Sequence, residues 1–138
     1  MAVKKSPKKA AAKAKDAPYK LISLRSQSET GTIPFASIKI SINGVEHAAE
    51  VSGNGPVDAT FKAIESIVNS QAELLLFSVN NITSGTDAQG EVTVRLSKGG
   101  RVVNGLGADI DIVIASAKAY LNALNKLFSK LERAHPQI

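Results

Sequence analysis

The first residues whose types and spacing could do chemistry lie in a short turn, Gly53-Asn54-Gly55-Pro56, followed by Asp58. Glycine allows positive φ and lets a ligand approach the backbone closely. Proline fits the first position of a helix, where its missing N–H costs nothing. A helix that begins here directs free backbone N–H groups outward, which suits an anion. The turn is therefore a candidate site for an anionic group.

A second glycine pair, Gly105-Leu106-Gly107, precedes Asp109 and Asp111. Each glycine pair is half of a dinucleotide fingerprint, but neither has the third glycine nor lies in a parallel βαβ unit, so a nucleotide is disfavoured. Two carboxylates at a helix start either compensate the helix dipole or hold an ammonium group. Capping is the preferred interpretation for Asp109, and both interpretations stay open for Asp111.

Residues for catalysis or metal binding do not cluster in this sequence. The two histidines, His47 and His135, are far apart, and the chain has no cysteine. No group of His, Asp and Glu has the spacing of metal ligands. Asn122 and Asn125 are expected on an exposed or interface face of a helix. We expect a binding or interaction module with no catalytic residue, metal or cofactor in this chain.

The net charge of +5 belongs to the start of the chain. Residues 1–15 carry six lysines and no acid, which leaves a net charge of −1 on the remainder. Lysine clusters can bind nucleic acid through its phosphates, but a solvated, disordered Lys/Ala-rich tail over residues 1–17 is favoured. No segment resembles a signal peptide or a membrane span. A soluble cytoplasmic protein that does not bind membranes is expected.

The body of the chain repeats itself at an offset of 54 residues, with segment 30–42 aligned on segment 84–96. Both segments alternate apolar and polar residues, which is typical of half-buried strands. A turn and a third strand follow each one. The residues that coincide are Gly31 with Gly85, Thr32 with Thr86, Ile38 with Val92, Ile40 with Val94 and Ile42 with Leu96; upstream, Leu21 and Ile22 fall on Leu75 and Leu76.

Each repeat then ends in an amphipathic helix, predicted from about Pro56 to Asn69 and from about Ile110 to Leu131. The predicted fold is α+β, with two βββα units packed about a pseudo-two-fold axis. Unit one spans about 18–71, unit two about 72–132, and 133–138 form a C-terminal tail. If both Gly-x-Gly segments are turns, they face each other at the seam, where a ligand would bind.

Three motifs resemble a known family in their order along the chain. They are GNGPVDATFKAI, ITSGTDAQGEVTVRL and GLGADIDIVIASAKAYLNALN, within a resemblance that covers about Pro18 to Leu131. Together they resemble the C-terminal regulatory domain of 2-isopropylmalate synthase, an acyltransferase of leucine biosynthesis. The isoleucine-sensing domain of citramalate synthase is the close alternative.

The resemblance implies two βββα units that pair within the chain and bind the end-product amino acid, an allosteric inhibitor, between them. It also implies a homodimer. Backbone N–H groups would take its carboxylate, a carboxylate or carbonyl groups its ammonium, and small apolar residues would leave room for an isobutyl group. The implied leucine-binding residues are Gly53, Asn54, Gly55, Pro56, Asp58, Asn81, Ala88, Asp111 and Ile112, with Asn81 at a strand end and Ala88 in a turn.

In the family this domain follows a catalytic (β/α)₈ barrel, and the sequence has none. We expect a free-standing sensor, a subunit that docks onto a separate catalytic synthase chain, or a fragment. Two other functions stay open: a nucleic-acid-associated protein that uses the lysine-rich arm, and a purely structural pairing module.

Overall fold

The computed structural model describes residues 17–84 and 87–129 of the chain, and the side chains of 82–88 are not included. The predictions for the lysine-rich tail and for the C-terminal tail lie outside these residues. The second helix ends at Leu127, with Phe128 as its C-cap residue, so its predicted end at about Leu131 was wrong. Among the described residues, no helix is long and apolar enough to cross a membrane.

Six strands and two helices alternate in the order βββα, twice. They are β1 (Tyr19–Gln27), β2 (Phe35–Ile42), β3 (Val45–Ser52), α1 (Pro56–Val68), β4 (Glu73–Ser84), β5 (Asp87–Lys98), β6 (Arg101–Asp109) and α2 (Ile112–Leu127). The strands form two antiparallel sheets, β1-β2-β3 and β4-β5-β6. The predicted α+β fold with two βββα units is confirmed.

The central strands of the two sheets carry the repeat that the sequence shows. Ile38 and Ile40 of β2 are buried, and so are their counterparts Val92 and Val94 of β5. Each first strand has a register shift, between Leu21 and Ser23 in β1 and between Leu74 and Leu76 in β4. The two shifts lie at different positions along the paired strands. Leu21 pairs with Ile40, and Phe77 pairs with Val94, which is the counterpart of Ile40 in the repeat. Leu21 therefore corresponds in the structure to Phe77, and its alignment with Leu75 was wrong.

The helix starts follow from local chemistry. As predicted, α1 begins at Pro56, and it ends before Asn69, which adopts the left-handed conformation with φ 50°. The second helix begins two residues later than expected, because Asp111 rather than Asp109 is its N-cap. The preferred assignment of Asp109 as the cap was wrong.

The prediction that Gly105 and Gly107 form a turn was also wrong, because both lie within β6. They face the backbone of α2. A Cβ on Gly107 would lie no farther than 2.9 Å from atoms of Ala115, Lys118 and Ala119. These glycines therefore let the helix pack directly on the strand, and the expected pairing of two glycine turns at a seam does not occur.

The two helices pack against each other, and the second helix contacts both sheets. Helix α1 packs on β2 and β3, while α2 packs on β5 and β6 and also on β1. Tyr120 of α2 stacks against Phe61 of α1, with ring centroids 4.6 Å apart. Both helices start at the same end of the first sheet: α1 follows β3, which ends at Ser52 opposite Phe35, and Asp111 at the start of α2 lies beside Ser26 near the end of β1.

A partly buried polar cluster joins the two units at the other end of α1. The carboxylate of Glu65 accepts hydrogen bonds from the N–H and hydroxyl of Ser70 and from the hydroxyl of Tyr120, the last at 2.6 Å. Lys98 of β5 donates to the carbonyl of Ser70 at 2.7 Å. Burial first, and then the Glu65 carboxylate, raise the pKa of Tyr120, so this hydroxyl stays protonated as a donor.

Asn122 and Asn125 lie at an interface, in agreement with one of the two expectations for them. Asn125 accepts from the backbone N–H of Tyr19 at 2.8 Å and donates to its carbonyl at 3.0 Å. Asn122 accepts from the N–H of Leu106 at 2.9 Å. Helix α2 thus satisfies backbone groups on an edge strand of each sheet, β1 and β6.

Candidate functional site

The turn before α1 is held by its backbone and by one carboxylate. The N–H of Gly53 donates to the carbonyl of Pro34 at 3.0 Å, and the N–H of Asn54 donates to Oδ2 of Asp58 at 2.9 Å. Gly55 is the N-cap residue in an extended conformation, with Pro56 in the first turn. These bonds fix the path of the chain into the helix.

Glycine is required at position 53 because the helix comes close, and not because of a positive φ. Neither Gly53 nor Gly55 has a positive φ. A Cβ on Gly53 would lie 2.6 Å from the N atom of Ala59 and 2.7 Å from Oδ2 of Asp58. Nothing lies within 4 Å of a Cβ built on Gly55, so the space beside this residue is open.

Backbone N–H groups at the start of α1 have no acceptor among the described residues. No side chain caps the helix, and the first N–H with a backbone acceptor is that of Ala59, which donates to Gly55 at 2.9 Å. The N–H groups of Val57 and Asp58 are therefore left for solvent or a ligand. Together with the positive end of the helix dipole, these groups favour an anion.

The start of α2, by contrast, is capped by a carboxylate and carries negative charge. Oδ1 of Asp111 accepts hydrogen bonds from the N–H groups of Val113 at 2.8 Å and Ile114 at 3.4 Å. Oδ2 of Asp111 has no hydrogen-bond partner within residues 17–84 and 87–129. An open cleft of about 240 Å³ lies beside it. Its lining is Leu24, Arg25, Ser26, Asp111, Val113 and Ile114.

The two helix starts are neighbours at one end of the first sheet. Asp111 lies beside Ser26 of β1, which pairs with Ala36, and Ala36 pairs with Val51 just before the turn at Gly53. Two strand spacings of ~4.8 Å place the two edges of this sheet about 10 Å apart. Packed helices have similar axial separations of ~8–10 Å. No hydrogen bond or ion pair of the described residues joins the two starts directly.

In each unit an aspartate accepts a backbone hydrogen bond from the segment before the helix and also pairs with a lysine of that helix. Asp58 accepts from Asn54 and lies 3.0 Å from the amine of Lys62. Asp109 accepts from the N–H of Asp111 at 3.0 Å and lies 3.2 Å from Lys118. The pKa of each carboxyl is lowered, first by the backbone hydrogen bond and then by the lysine. Both aspartates therefore stay ionised near neutral pH.

Acid should destabilise the domain through these two carboxylates. Because their pKa values are lower in the folded state, unfolded chains bind protons first as the pH falls. The stabilisation is complete above about pH 4 and is lost as the pH falls through the folded-state pKa values. We expect urea midpoints to drop as the pH falls below about 4, and Asp58→Asn or Asp109→Asn to flatten that drop. Unchanged slopes in both variants would contradict this account.

The remaining predicted residues lie on or beside the β4–β5 hairpin. Asn81 is within β4 opposite Gly90, and Ala88 is within β5 opposite Thr83. The placements of Asn81 at a strand end and Ala88 in a turn were therefore wrong, because the ladder continues to Ser84 and Asp87. The side chain of Ala88 is outside the described part.

Ile112 connects this hairpin to the start of α2. Its Cδ1 atom occupies the space that a Cβ on Gly90 would need. Asn81 and Ile112 therefore flank Gly90, and Asp111 is the next residue along the chain. The structure thus brings together Asn81, Asp111 and Ile112, while the Gly53–Asp58 turn forms a second group at the neighbouring helix start.

Sequence reasoning missed two parts of this region. It missed the wall that Leu24, Arg25 and Ser26 form beside Asp111, because contacts between β1 and α2 are distant along the chain. It also missed Gly90, although an isolated glycine within a strand pattern signals close approach of another element. Residues 17–84 and 87–129 contain no group of three His, Cys, Asp or Glu side chains placed to hold a metal ion.

The fold and the two helix starts define a class of α+β domain made of two βββα units. A family model described as the LeuA allosteric (dimerisation) domain matches residues 4–128. This chain belongs to that family.

Relatives with full-length sequences agree with this assignment. The 2-isopropylmalate synthase of Nitrosospira multiformis is 71% identical over 120 residues, which are 87% of this chain and 24% of that protein. That of Thiobacillus denitrificans is 67% identical over 123 residues, 89% of this chain and 24% of that protein. That of Methylococcus capsulatus is 60% identical over 129 residues, 94% of this chain and 25% of that protein. The chain spans about a quarter of the length of the curated relatives it matches.

Proposed function

We propose that this chain is a regulatory domain that binds leucine and thereby controls a 2-isopropylmalate synthase catalytic domain. The observation that carries the proposal is the pairing of two unlike helix starts at one end of the sheet. The start of α1 offers uncapped N–H groups, and the start of α2 offers Oδ2 of Asp111 beside an open cleft. An α-amino acid has the two complementary charges.

The size of an amino acid is comparable with the separation expected for groups on two packed helices. The carboxylate and ammonium of an amino acid share one carbon, so hydrogen bonds of ~2.8 Å at both ends reach partners about 8 Å apart. That span is comparable with the separation of packed helices, ~8–10 Å. In this arrangement the N–H groups of Val57 and Asp58 bind the carboxylate, and Asp111 binds the ammonium.

Two features reduce the electrostatic conflict that Asp58 would otherwise cause. Its carboxylate is paired with Lys62 at 3.0 Å and accepts the N–H of Asn54. Its charge is therefore already matched when a carboxylate binds at the same helix start. The open space beside Gly55 gives the ligand backbone access.

The energetics require both the polar and the apolar parts of the ligand. Burying an isobutyl side chain contributes ~1.5–3 kcal/mol, while micromolar affinity requires about 8 kcal/mol. Hydrogen bonds to charged groups contribute ~1.5–3 kcal/mol each. Ile112, Asn81 and Ala88 would border the side chain in this arrangement.

Regulation follows if the catalytic domain has two states that bind leucine unequally. A coupling of ~1–3 kcal/mol would be typical, and it acts in both directions between the two sites. We further infer that the domain acts as a homodimer, in keeping with the name of its family.

Calorimetric titration of the purified chain with leucine, isoleucine and valine tests this proposal. We expect leucine to bind with micromolar affinity, and isoleucine and valine about tenfold or more weaker, as one methyl position is worth ~1–3 kcal/mol. Tighter binding of isoleucine would support the citramalate synthase alternative. No heat and no thermal shift with any of the three would contradict amino-acid sensing.

A further inference from the structure

Each sheet has two edge strands, and three of the four are protected against pairing with another chain. Unpaired backbone groups on an edge strand form a template for a new strand unless charge, a bulge or a cover blocks them. In β1, Asn125 binds both backbone groups of Tyr19. In β6, Asn122 binds the N–H of Leu106, and Lys126 donates to the carbonyl of Asn104.

The edge of β3 is protected by charge. Its eight residues include Glu46 and Glu50, both exposed, and exposed His47 between them. Two copies of this strand placed side by side would bring several like charges together, which is unfavourable.

Strand β4 has none of these protections over most of its length. It is twelve residues long, its only charged residue is Glu73 at the first position, and it contains no proline. Its register shift lies near the start, between Leu74 and Leu76. Among the described side chains, none donates to or accepts from the outer edge of this strand.

The same strand carries the largest run of exposed apolar side chains among the described residues. Leu74, Leu75, Phe77 and Val79 are between 38% and 47% exposed. Phe77 and Val79 pair with Val94 and Val92, so they share the face of the sheet on which α2 packs. Helix α2 covers β5 and β6 on that face, whereas β4 has no comparable helix packing among the described residues; its Phe77 makes an edge-to-face contact with Phe61 of α1, with ring centroids 5.8 Å apart.

We propose that β4 pairs antiparallel with β4 of a second copy of this chain, across a two-fold axis, to form one six-stranded sheet. This assignment rests on the homodimer proposed above but not on leucine binding. A two-fold axis makes the same strand both donor and acceptor of the interface. Antiparallel pairing also places the two Glu73 carboxylates at opposite ends, so the strand carries no self-repulsion.

The pairing would explain why the apolar side chains of β4 are exposed in a single copy of the chain. Phe77 and Val79 of both copies would become neighbours on one face of the joined sheet, between the helices of the two copies. Their burial would then extend the apolar cores of both copies across the axis.

Sedimentation velocity over a range of concentrations tests this assignment with a matched pair of variants. Val79→Lys places a charge on the exposed strip of β4, and Val102→Lys places the same charge on β6 at a valine that is 54% exposed. We expect a dimer for the unmodified chain and for Val102→Lys. Val79→Lys should raise the dimer dissociation constant about 100-fold or more, because an unpaired ammonium would be buried. Circular dichroism melts establish that each variant is folded.

Hydrogen exchange provides a readout that a folding defect in Val79→Lys cannot imitate. In the unmodified chain, amides of β4 should gain protection as the protein concentration rises, while amides of β3 should not. A monomeric unmodified chain would overturn both the homodimer and the edge assignment. A dimeric Val79→Lys, or a monomeric Val102→Lys, would overturn the β4 assignment alone. Leucine calorimetry on the same samples reports separately on the proposed function.

Discussion

Replacing Gly105 with alanine should lower the free energy of unfolding by about 3 kcal/mol, at the upper end of the usual cost of overpacking. A Cβ at this position would lie no farther than 2.7 Å from the carbonyl oxygen of Ala119 and the N and Cβ atoms of Ala123. Two of these three atoms belong to the backbone of α2, so no rotamer change can relieve the contact. The helix must move away from β6, and the core beneath it must lose packing.

Urea unfolding followed by circular dichroism measures this effect, and Gly55→Ala is the matched control. Gly55 has an extended φ of −178°, and nothing lies within 4 Å of a Cβ built there. Because alanine is a poorer N-cap residue than glycine, we expect the control to lower the free energy of unfolding by about 1 kcal/mol or less. Equal stability of Gly105→Ala and the unmodified chain would show that the close contact between β6 and α2 is wrong.

Replacing Asp111 with asparagine should weaken leucine binding about 10- to 100-fold while leaving the fold almost equally stable. Asparagine caps helices as well as aspartate does, so the bonds to the N–H groups of Val113 and Ile114 are retained. The charge that would hold the ammonium is lost, and a hydrogen bond to a charged group contributes ~1.5–3 kcal/mol. Calorimetry gives the affinity, and thermal melting gives the stability.

Glu46→Gln is the charge-matched control for this variant. Glu46 is an exposed carboxylate on β3, 4.0 Å from Lys39 and away from both helix starts. Its replacement should leave the leucine dissociation constant unchanged. A loss of affinity in this control equal to that in Asp111→Asn would mean that net charge, and not the ammonium contact, determines binding.

The repeat of strands and helices could be predicted because its signals are local. Alternating apolar residues identified β2 and β5, and the Gly-Pro junction placed the start of α1 at Pro56. These features depend on neighbouring residues alone, so no knowledge of tertiary contacts was needed.

The errors have a common physical cause in packing between distant segments. The glycines of β6 resemble a turn in sequence, but they are there because α2 approaches the strand. Asp109 and Asp111 are both suitable caps, and the continuation of β6 to Asp109 decides between them. The wall of the cleft at Leu24–Ser26 depends on contact between β1 and α2. The spacing of apolar residues within either element cannot predict that contact.

The two units are similar in fold but not in chemistry. One helix start is uncapped, with an aspartate bound to Lys62, whereas the other is capped by Asp111, with Asp109 bound to Lys118. A ligand with opposite charges on adjacent groups suits such a pair better than a symmetric ligand does. This asymmetry is the reason to expect an amino acid at the shared end of the sheet.

The most direct test of this account is a calorimetric cycle that compares leucine with 4-methylpentanoate, which lacks the ammonium, on the unmodified chain and on Asp111→Asn. If Asp111 binds the ammonium, the substitution should weaken leucine binding about 10- to 100-fold and leave the weaker binding of 4-methylpentanoate unchanged. Equal losses for both ligands would contradict that contact. Absence of leucine binding to the unmodified chain would contradict the proposed function itself.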